Sequence, residues 1–155
     1  MRRKDREITD KNAVEEFIAS EKIIRIGFCD KGEVYIVPVN YGYSVENGEY
    51  SFYFHGAVAG RKYELAKAKP SVGFEIDGRY GLLSADTACS YSANYMSVIG
   101  NGILSVIEDN DEKKAALEAI IKQAAGRTGI EYNNDVLSHT AVFKLNVKTM
   151  SCKAK

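Results

Sequence analysis

Hydrophobic and polar residues alternate along several short stretches of the chain, and this period of two predicts half-buried strands. In the clearest stretch, 50–55, aromatic residues at every second position would face one side of a sheet, while Tyr53 and His55 would face the other. Related patterns predict five more strands, at 23–29, 34–43, 72–77, 98–107 and 143–148. We therefore expect a mainly β fold with some helix.

Three segments repeat apolar residues at helical spacing instead. The first follows Asp10, which can cap a helix, and a short second helix starts near Arg61 and ends before Pro70. The third and clearest begins at Asn110 or Asp111 and stops at Gly126. Its expected packing face consists of Leu117, Ile120, Ile121 and Ala124.

Proline and glycine mark where the strands must bend. Pro38 cannot donate to a ladder, so the strand at 34–43 must be broken, bulged or at an edge near this residue. Gly78 should end the fourth strand, and Gly100 and Gly102 predict a bend or a close backbone approach in the fifth. These features predict a six-stranded antiparallel barrel with flanking helices, in a single domain spanning residues 1–155.

Composition narrows the possible functions. The chain has 21 basic and 21 acidic residues, so no overall field would attract nucleic acid or an anionic membrane. No apolar run reaches transmembrane length, and the mixed charges of the first residues do not suit a signal peptide. Three well-separated cysteines without CxxC spacing favour reduced thiols, so we expect a cytoplasmic protein. Two histidines without a cysteine cluster make a metal site improbable.

The turn between His55 and Lys62 is a candidate anion site. Gly56 and Gly60 bracket it, and free N–H groups at a helix start, together with Arg61 and Lys62, would suit a phosphate. The spacing differs from that of a Walker A loop. The residues alone leave open a tight turn with two solvated cations. His55 is likewise either an acid/base group or a hydrogen-bonded strand end.

Four motifs, taken together, resemble the flavin-binding split-barrel superfamily related to pyridoxamine phosphate oxidase. They are Pro38-Val39-Asn40-Tyr41, Tyr53-Phe54-His55-Gly56-Ala57, Gly60-Arg61-Lys62 and Tyr95-x-Ser97-Val98. Within the superfamily, the chain is most similar to the nitroimidazole-resistance (Nim-type) proteins, and the likeness runs from about residue 23 to 147. The resemblance implies a split barrel that forms a homodimer, with FMN held at the subunit interface.

The resemblance also implies roles for single residues. The flavin would lie against a backbone segment near Pro38, its phosphate would contact two adjacent cations, and a serine would lie near the phosphate or ribityl chain. His55 would face the substrate side of the ring. The residues implied as cofactor-binding are Val39, Asn40, Tyr41, His55, Arg61, Lys62 and Ser97.

The expected function is that of a Nim-like, FMN-dependent oxidoreductase. NADH, NADPH or another donor would reduce the flavin, which would pass electrons to a small acceptor such as a nitroaromatic, with His55 orienting or protonating that acceptor. The alternative, from a different class, is a flavin- or haem-binding module without turnover that acts as a sensor or carrier. Oxidation of pyridoxamine phosphate is less favoured, because the likeness is to the Nim-type branch.

Overall fold

The fold is an antiparallel sheet with helices packed around it. The computed structural model describes residues 3–155, apart from the side chain of Asn134. The strands are β1 (Glu7–Ile8), β2 (Ile23–Asp30), β3 (Glu33–Asn40), β4 (Gly42–Glu46), β5 (Glu49–Ala57), β6 (Ser71–Leu83), β7 (Ser92–Ile107) and β8 (Thr140–Ala154). The helices are α1 (Lys11–Ser20), α2 (Arg61–Lys67), α3 (Asn110–Ala125) and α4 (Asn134–Ser138), and short 3₁₀ turns lie at Lys4–Arg6 and Ala88–Ser90.

The strand order is β3-β2-β6-β7-β8-β5-β4, with β1 added along β8. All six predicted strands are present, which confirms a mainly β split barrel with flanking helices. The count is eight because β1 is extra and because the strand predicted at 34–43 is divided into β3 and β4. A break near Pro38 is not found, because Pro38 pairs with Arg25 inside β3 and the division falls at Tyr41. The alternative of an edge position is confirmed, since β3 is the edge strand of the sheet.

Tyr41 and Gly42 join the two ends of the sheet. Before Tyr41 the chain pairs with β2, and from Gly42 onward it pairs with β5, so one continuous segment belongs to both ends. Tyr41 is fully buried, and its hydroxyl donates to the carbonyl of Ile18 over 2.6 Å. At Gly42 a Cβ would overlap the backbone of Ala119, so the glycine permits α3 to pack directly on the crossing.

Two irregularities bend the long strands. In β7 the register with β8 shifts between Asn101 and Gly102, and a Cβ on Gly102 would overlap the carbonyl of Asn146. The predicted close approach is therefore confirmed, although β7 continues through it as one strand. The prediction that Gly78 ends the fourth strand is wrong: Arg79, at φ 56°, forms a bulge, and β6 continues to Leu83.

The main core lies inside the curved sheet. Its largest fully buried members are aromatic, and Phe54 stacks on Phe143 with 4.9 Å between ring centroids. The predicted packing face of α1 is confirmed, since Val14, Phe17 and Ile18 are all buried, and Asp10 caps the helix. The main core includes Val14, Phe17, Ile18, Ile24, Ile26, Phe52, Phe74, Ile76, Val98, Leu104 and Leu145.

Helix α3 differs from the prediction in its cap and in its buried face. Asp109, not Asn110 or Asp111, accepts the first N–H groups, and Gly126 ends the helix in the left-handed conformation as expected. The buried residues are Ala116, Ile120 and Gln123. The helix is turned in this way because the Gln123 amide donates to the last carbonyls of α1, those of Ile18, Ala19 and Glu21.

Candidate functional site

The end of β5 and the start of α2 form the candidate site. β5 continues through His55 to Ala57, two residues beyond the predicted end of the strand, because it pairs with β8 as far as Thr140. Gly60 then turns the chain at φ 95°, a conformation that favours glycine, and Arg61 begins α2. The helix has only seven residues, so its dipole adds little, and the chemistry of the site depends on side chains.

Lys62 is a partly desolvated cation. Its Nζ lies 5.5 Å from the ring centroid of Phe54 and 5.2 Å from that of Phe143, and it is 3.5 Å from the carbonyl oxygen of His55. Desolvation lowers the pKa of Lys62 from its ordinary value. Within residues 3–155, no carboxylate pairs with this ammonium. It is therefore available to an anionic ligand.

Gly56 makes room for this ammonium. A Cβ at position 56 would lie 2.8 Å from Nζ of Lys62 and 3.2 Å from its Cε, closer than such atoms normally approach. Of the two glycines that bracket the turn, Gly60 therefore supplies a backbone conformation, whereas Gly56 supplies space. The sequence motif shows both glycines but does not separate these roles.

His55 lies beside Lys62 and remains accessible to solvent. Partial burial of the imidazole, and secondarily the positive charge of Lys62, lower the pKa of His55 below its ordinary value of 6.5. The ring is therefore neutral near pH 7 and offers one N–H donor and one acceptor nitrogen. This environment suits a group that hydrogen-bonds to a ligand or exchanges a proton with it.

Arg61 contacts the hairpin between β2 and β3. Its Nε and Nη2 lie 2.9 Å from Oδ2 of Asp30, Nη2 is also 3.3 Å from Oε2 of Glu33, and the guanidinium lies 4.8 Å from the ring centroid of Tyr35. The hydrogen bond to Asp30 is the main cause of the raised pKa of Arg61. No local motif indicates this arrangement, because Asp30 and Glu33 lie in the β2–β3 hairpin, about 30 residues earlier in the chain.

Val39 and Asn40 end β3, and Tyr41 follows directly after it. No strand of the described chain pairs with β3 on the side opposite β2, so half of its backbone hydrogen-bonding groups are free, as expected for an edge. The side chains have partners within the chain: the Asn40 amide donates to the carbonyl of Lys22, and Tyr41 is buried in the core.

Ser97 is not brought near Lys62 within one chain. One row of paired residues crosses four strands and consists of Pro38, Arg25, Glu75 and Ile99. Asp77 is two residues beyond Glu75 on β6, which places it level with the start of β2. Ser97 pairs with Asp77 and is therefore at the same level. Arg61 contacts Asp30, at the other end of β2. Seven residue steps of about 3.3 Å separate these ends, which is roughly 23 Å. The predicted cofactor residues therefore form two groups in the single chain.

An apolar sheet face extends between these two groups. Val34 and Ile36 on β3 and Ile99 on β7 are 76%, 60% and 56% exposed. Gly27 and Gly73 lie side by side next to Ile36 and keep the face flat there, and Ile99 lies one row further along, beside Glu75. We call the set Val34, Ile36, Gly27, Gly73 and Ile99 the outer sheet face. Exposed aliphatic side chains grouped on one side of a sheet are a feature of a protein-contact surface.

Sequence reasoning missed a charged cluster on the same side of the sheet. Arg25 lies 3.0 Å from a carboxylate oxygen of Glu75 and 2.5 Å from one of Asp77. Desolvation, followed by repulsion from Asp77, raises the pKa of Glu75. The sequence feature that could have indicated this cluster is the alternation of charged residues with apolar, buried ones in β2 and β6.

The structure also has a concave region away from these residues. A cavity of about 650 Å³ lies between α1, β4 and α3 and is lined by Lys22, Tyr43 and Glu118, among others. Among the described residues, no three His, Cys, Asp or Glu side chains are grouped to hold a metal ion. Across residues 3–155, no helix is both long and apolar enough to span a membrane.

Comparison with known proteins identifies the fold. Residues 10–154 match the sequence model of the family described as pyridoxamine 5'-phosphate oxidase. A proposed 5-nitroimidazole antibiotic resistance protein from Bacteroides thetaiotaomicron has a similar structure, with 28% identity and a TM-score of 0.81 over 96% of this chain and 86% of that chain. A comparison with curated protein sequences finds no match.

Two more distant structures share the fold. One is the flavocytochrome Anf3 from Azotobacter vinelandii, with 21% identity and a TM-score of 0.79 over 100% of this chain and 72% of that chain. The other is an FAD and heme binding protein from Mycobacterium smegmatis, with 15% identity and a TM-score of 0.80 over 97% and 73%. With the family match covering nearly its whole length, the chain belongs to the pyridoxamine 5'-phosphate oxidase family of split barrels.

Proposed function

We propose that the protein is an FMN-binding, Nim-like oxidoreductase that passes electrons from a reduced flavin to a small acceptor such as a nitroaromatic. The observation that carries the proposal is Lys62, a partly desolvated ammonium beside His55 with no carboxylate partner in the described chain. The structural likeness to the Bacteroides protein supports the Nim-like assignment. The expected donor is NADH or NADPH.

The residues of the chain fit FMN in three respects. Lys62 offers a cation for the phosphate and His55 offers a neutral imidazole on the acceptor side. The free edge of β3 beside Val39 and Asn40 offers backbone groups for the ring, and since it lies with Ser97 at the other end of β2, a second copy of the chain would supply it. A bound flavin would supply the electron-transfer chemistry, which no side chain of the protein can supply. Ser97 keeps its proposed place near the phosphate or ribityl chain.

His55 is the proposed catalytic residue. As a neutral imidazole it would hydrogen-bond to the acceptor and orient it, and as an imidazolium at lower pH it would donate a proton. Partial burial, and secondarily the charge of Lys62, lower the pKa of His55 and so disfavour the protonated form, which favours release of this proton. A buried carboxylate beside the ring would have the opposite effect.

We propose that the active form is a homodimer. In one chain Ser97 is level with one end of β2, whereas Arg61, the neighbour of Lys62, contacts Asp30 at the other end. A second copy packed on the outer sheet face could bring its own Ser97 toward Lys62. The exposed Val34, Ile36 and Ile99 supply apolar area for such an interface. Size measurement with and without added FMN tests this part.

The first experiment is an absorption spectrum of the purified protein, followed by identification of any chromophore released by heat. Flavin bands with FMN released support the cofactor assignment, and released FAD would correct it. A colourless protein that also fails to take up either flavin would refute the proposal. Sustained oxidation of NADH or NADPH in the presence of a nitroaromatic acceptor then tests turnover.

A second candidate is a flavin- or haem-binding carrier without turnover. It is favoured by the likeness to the flavocytochrome and to the FAD and heme binding protein, although at these identities the likeness concerns the fold. His55 and His139 are the only histidines that could ligate a haem iron, and both are exposed. A single intense haem band, or a bound flavin without sustained turnover, would favour this candidate.

A further inference from the structure

Arg61 and Lys62 are adjacent cations, but the structure gives them different surroundings. Successive residues of a helix point about 100° apart, so neighbours on α2 cannot both face one small ligand equally well. Lys62 points toward Phe54, Phe143 and the end of β5, whereas Arg61 points toward the hairpin of β2 and β3.

We infer that Arg61 is a latch between α2 and the β2–β3 hairpin, and that Lys62 is the one cation of this pair that binds the flavin phosphate. The inference rests on the proposed function for its ligand and refines the phosphate site. It departs from the expectation drawn from the sequence, in which both cations contact the phosphate.

The contacts of Arg61 are those of a structural fork. Nε and Nη2 both lie 2.9 Å from the same oxygen of Asp30, and Nη2 also lies 3.3 Å from Glu33. The guanidinium carbon lies 4.8 Å from the ring centroid of Tyr35, a side chain packed against the core. Several directed N–H donors in a fixed fork, beside an aromatic ring, form a site at which lysine does not replace arginine.

Charge also opposes a phosphate at Arg61. Asp30 and Glu33 place two carboxylates on the guanidinium, so a phosphate that approached the same donors would meet two negative charges. Around the Lys62 ammonium, in contrast, there are two aromatic rings and a carbonyl oxygen, with no carboxylate among the described residues at ion-pair distance. Of the two cations, only Lys62 has an unneutralised charge.

The test compares binding of FMN with binding of riboflavin, which lacks the phosphate. Lys62→Met keeps an apolar stem on the rings and removes the charge. It should lower FMN affinity by about 10- to 100-fold and leave riboflavin affinity nearly unchanged. Arg61→Ala should weaken both flavins alike, by less than about five-fold, so the ratio of the two affinities stays within about two-fold of wild type. Lys67→Met, on the same helix but paired with Glu64, is the matched control.

Arg61→Lys separates the latch from a simple charge. A lysine retains the positive charge near the site but cannot make the fork to Asp30 and Glu33, so its effect on both flavins should match that of Arg61→Ala. If instead Arg61→Ala lowers the ratio of FMN to riboflavin affinity as strongly as Lys62→Met, and Arg61→Lys restores it, the latch assignment is overturned.

Unfolding measurements without flavin test the latch independently. Arg61→Ala should destabilise the wild-type protein more than it destabilises an Asp30→Asn/Glu33→Gln background, because the three residues share one network. Equal effects in both backgrounds would overturn the latch. If wild type binds neither flavin, the proposed function fails while the unfolding cycle still decides the latch. If wild type binds both flavins equally, the phosphate role of Lys62 is refuted.

Discussion

Gly56→Ala is the substitution that most directly connects the fold to the proposed phosphate site. Position 56 lies in β5, and its missing Cβ leaves the space occupied by the end of the Lys62 side chain. An added methyl would lie 2.8 Å from Nζ and 3.2 Å from Cε of Lys62, but 3.7 Å from the Phe143 ring, which is an ordinary contact. The ammonium must therefore move, whereas the backbone and the core need not.

The size of the effect follows from what Lys62 loses. Its two aromatic contacts, at 5.5 and 5.2 Å, are partly desolvated, and such cation–π contacts contribute about 0.5–2 kcal/mol. The contact to the carbonyl of His55, at 3.5 Å, is at the limit of a hydrogen bond and adds little. We expect Gly56→Ala to lower the free energy of unfolding by about 0.5–2 kcal/mol, without loss of the fold.

The loss in ligand binding should be larger and selective. A displaced ammonium no longer makes its charge-assisted contact with the phosphate, so FMN affinity should fall about 10-fold or more. Riboflavin affinity should change little, because riboflavin has no phosphate. Flavin fluorescence titration with both ligands, beside denaturant unfolding, measures the two effects. Gly81→Ala is the control, because its Cβ would meet Asn94 only at 3.8 Å. Unchanged discrimination between FMN and riboflavin in Gly56→Ala would refute the placement of the ammonium at the phosphate.

Three further predictions concern the crossing of the sheet, the helix contact and the histidine. Gly42→Ala should destabilise the protein by about 1–3 kcal/mol or more in denaturant unfolding, because its methyl would overlap the backbone of α3, whereas Gly81→Ala should be nearly neutral. Gln123→Leu should destabilise it by about 1–3 kcal/mol, since α1 loses the amide that binds its last carbonyls; an effect as small as that of a surface substitution would contradict this role. For His55 the lowered folded pKa means that the unfolded chain binds more protons, so stability should fall as pH drops through 6.5, and His55→Gln should reduce that slope in unfolding measured across this range.

Much of the fold could be predicted because local signals and tertiary structure agree. Alternating apolar residues give the strands, Asp10 and Gly126 mark ends of helices, and Asn47-Gly48 forms its turn with positive φ at both residues. These features depend only on neighbouring residues. They were accessible without knowledge of which strands pair.

The errors fall where distant residues decide the outcome. Nothing near Gln123 in the sequence shows that its amide binds the end of α1, about 100 residues earlier. The predicted face of α3 is therefore right at Ile120 and Leu117 but wrong at Ala124, which is exposed. The break at Tyr41 arises because the chain changes partner from β2 to β5 there, which Pro38 alone does not indicate. At Arg79, a positive φ lets β6 continue past Gly78.

In the candidate site too, contacts between neighbouring residues could be predicted from the sequence, whereas contacts with distant residues could not. His55 and Lys62 are seven residues apart, and the turn between them brings the ammonium to the carbonyl of His55, so a local motif predicted their proximity. Arg61 is as close in sequence, but its surroundings depend on Asp30 and Glu33 in a distant hairpin. Two cations that appear equivalent in the motif therefore differ in charge compensation once the chain folds.

The position of Ser97 extends this argument from one chain to two. Ser97 is level with the start of β2, and Arg61, next to Lys62, contacts Asp30 at its other end, about 23 Å away along the strand. If Lys62 and Ser97 contact the same small ligand, one chain cannot bring them together without dismantling the sheet. Rigid strands leave only a second copy to supply the missing side, and the exposed Val34, Ile36 and Ile99 lie between the two groups, where such a copy would pack. A Ser97→Ala variant mixed with a Lys62→Met variant should then form some dimers with one intact site and one doubly altered site. Partial recovery of FMN binding on mixing would support sharing of the site between chains, whereas strictly additive binding by the two variants would place Ser97 and Lys62 in separate sites.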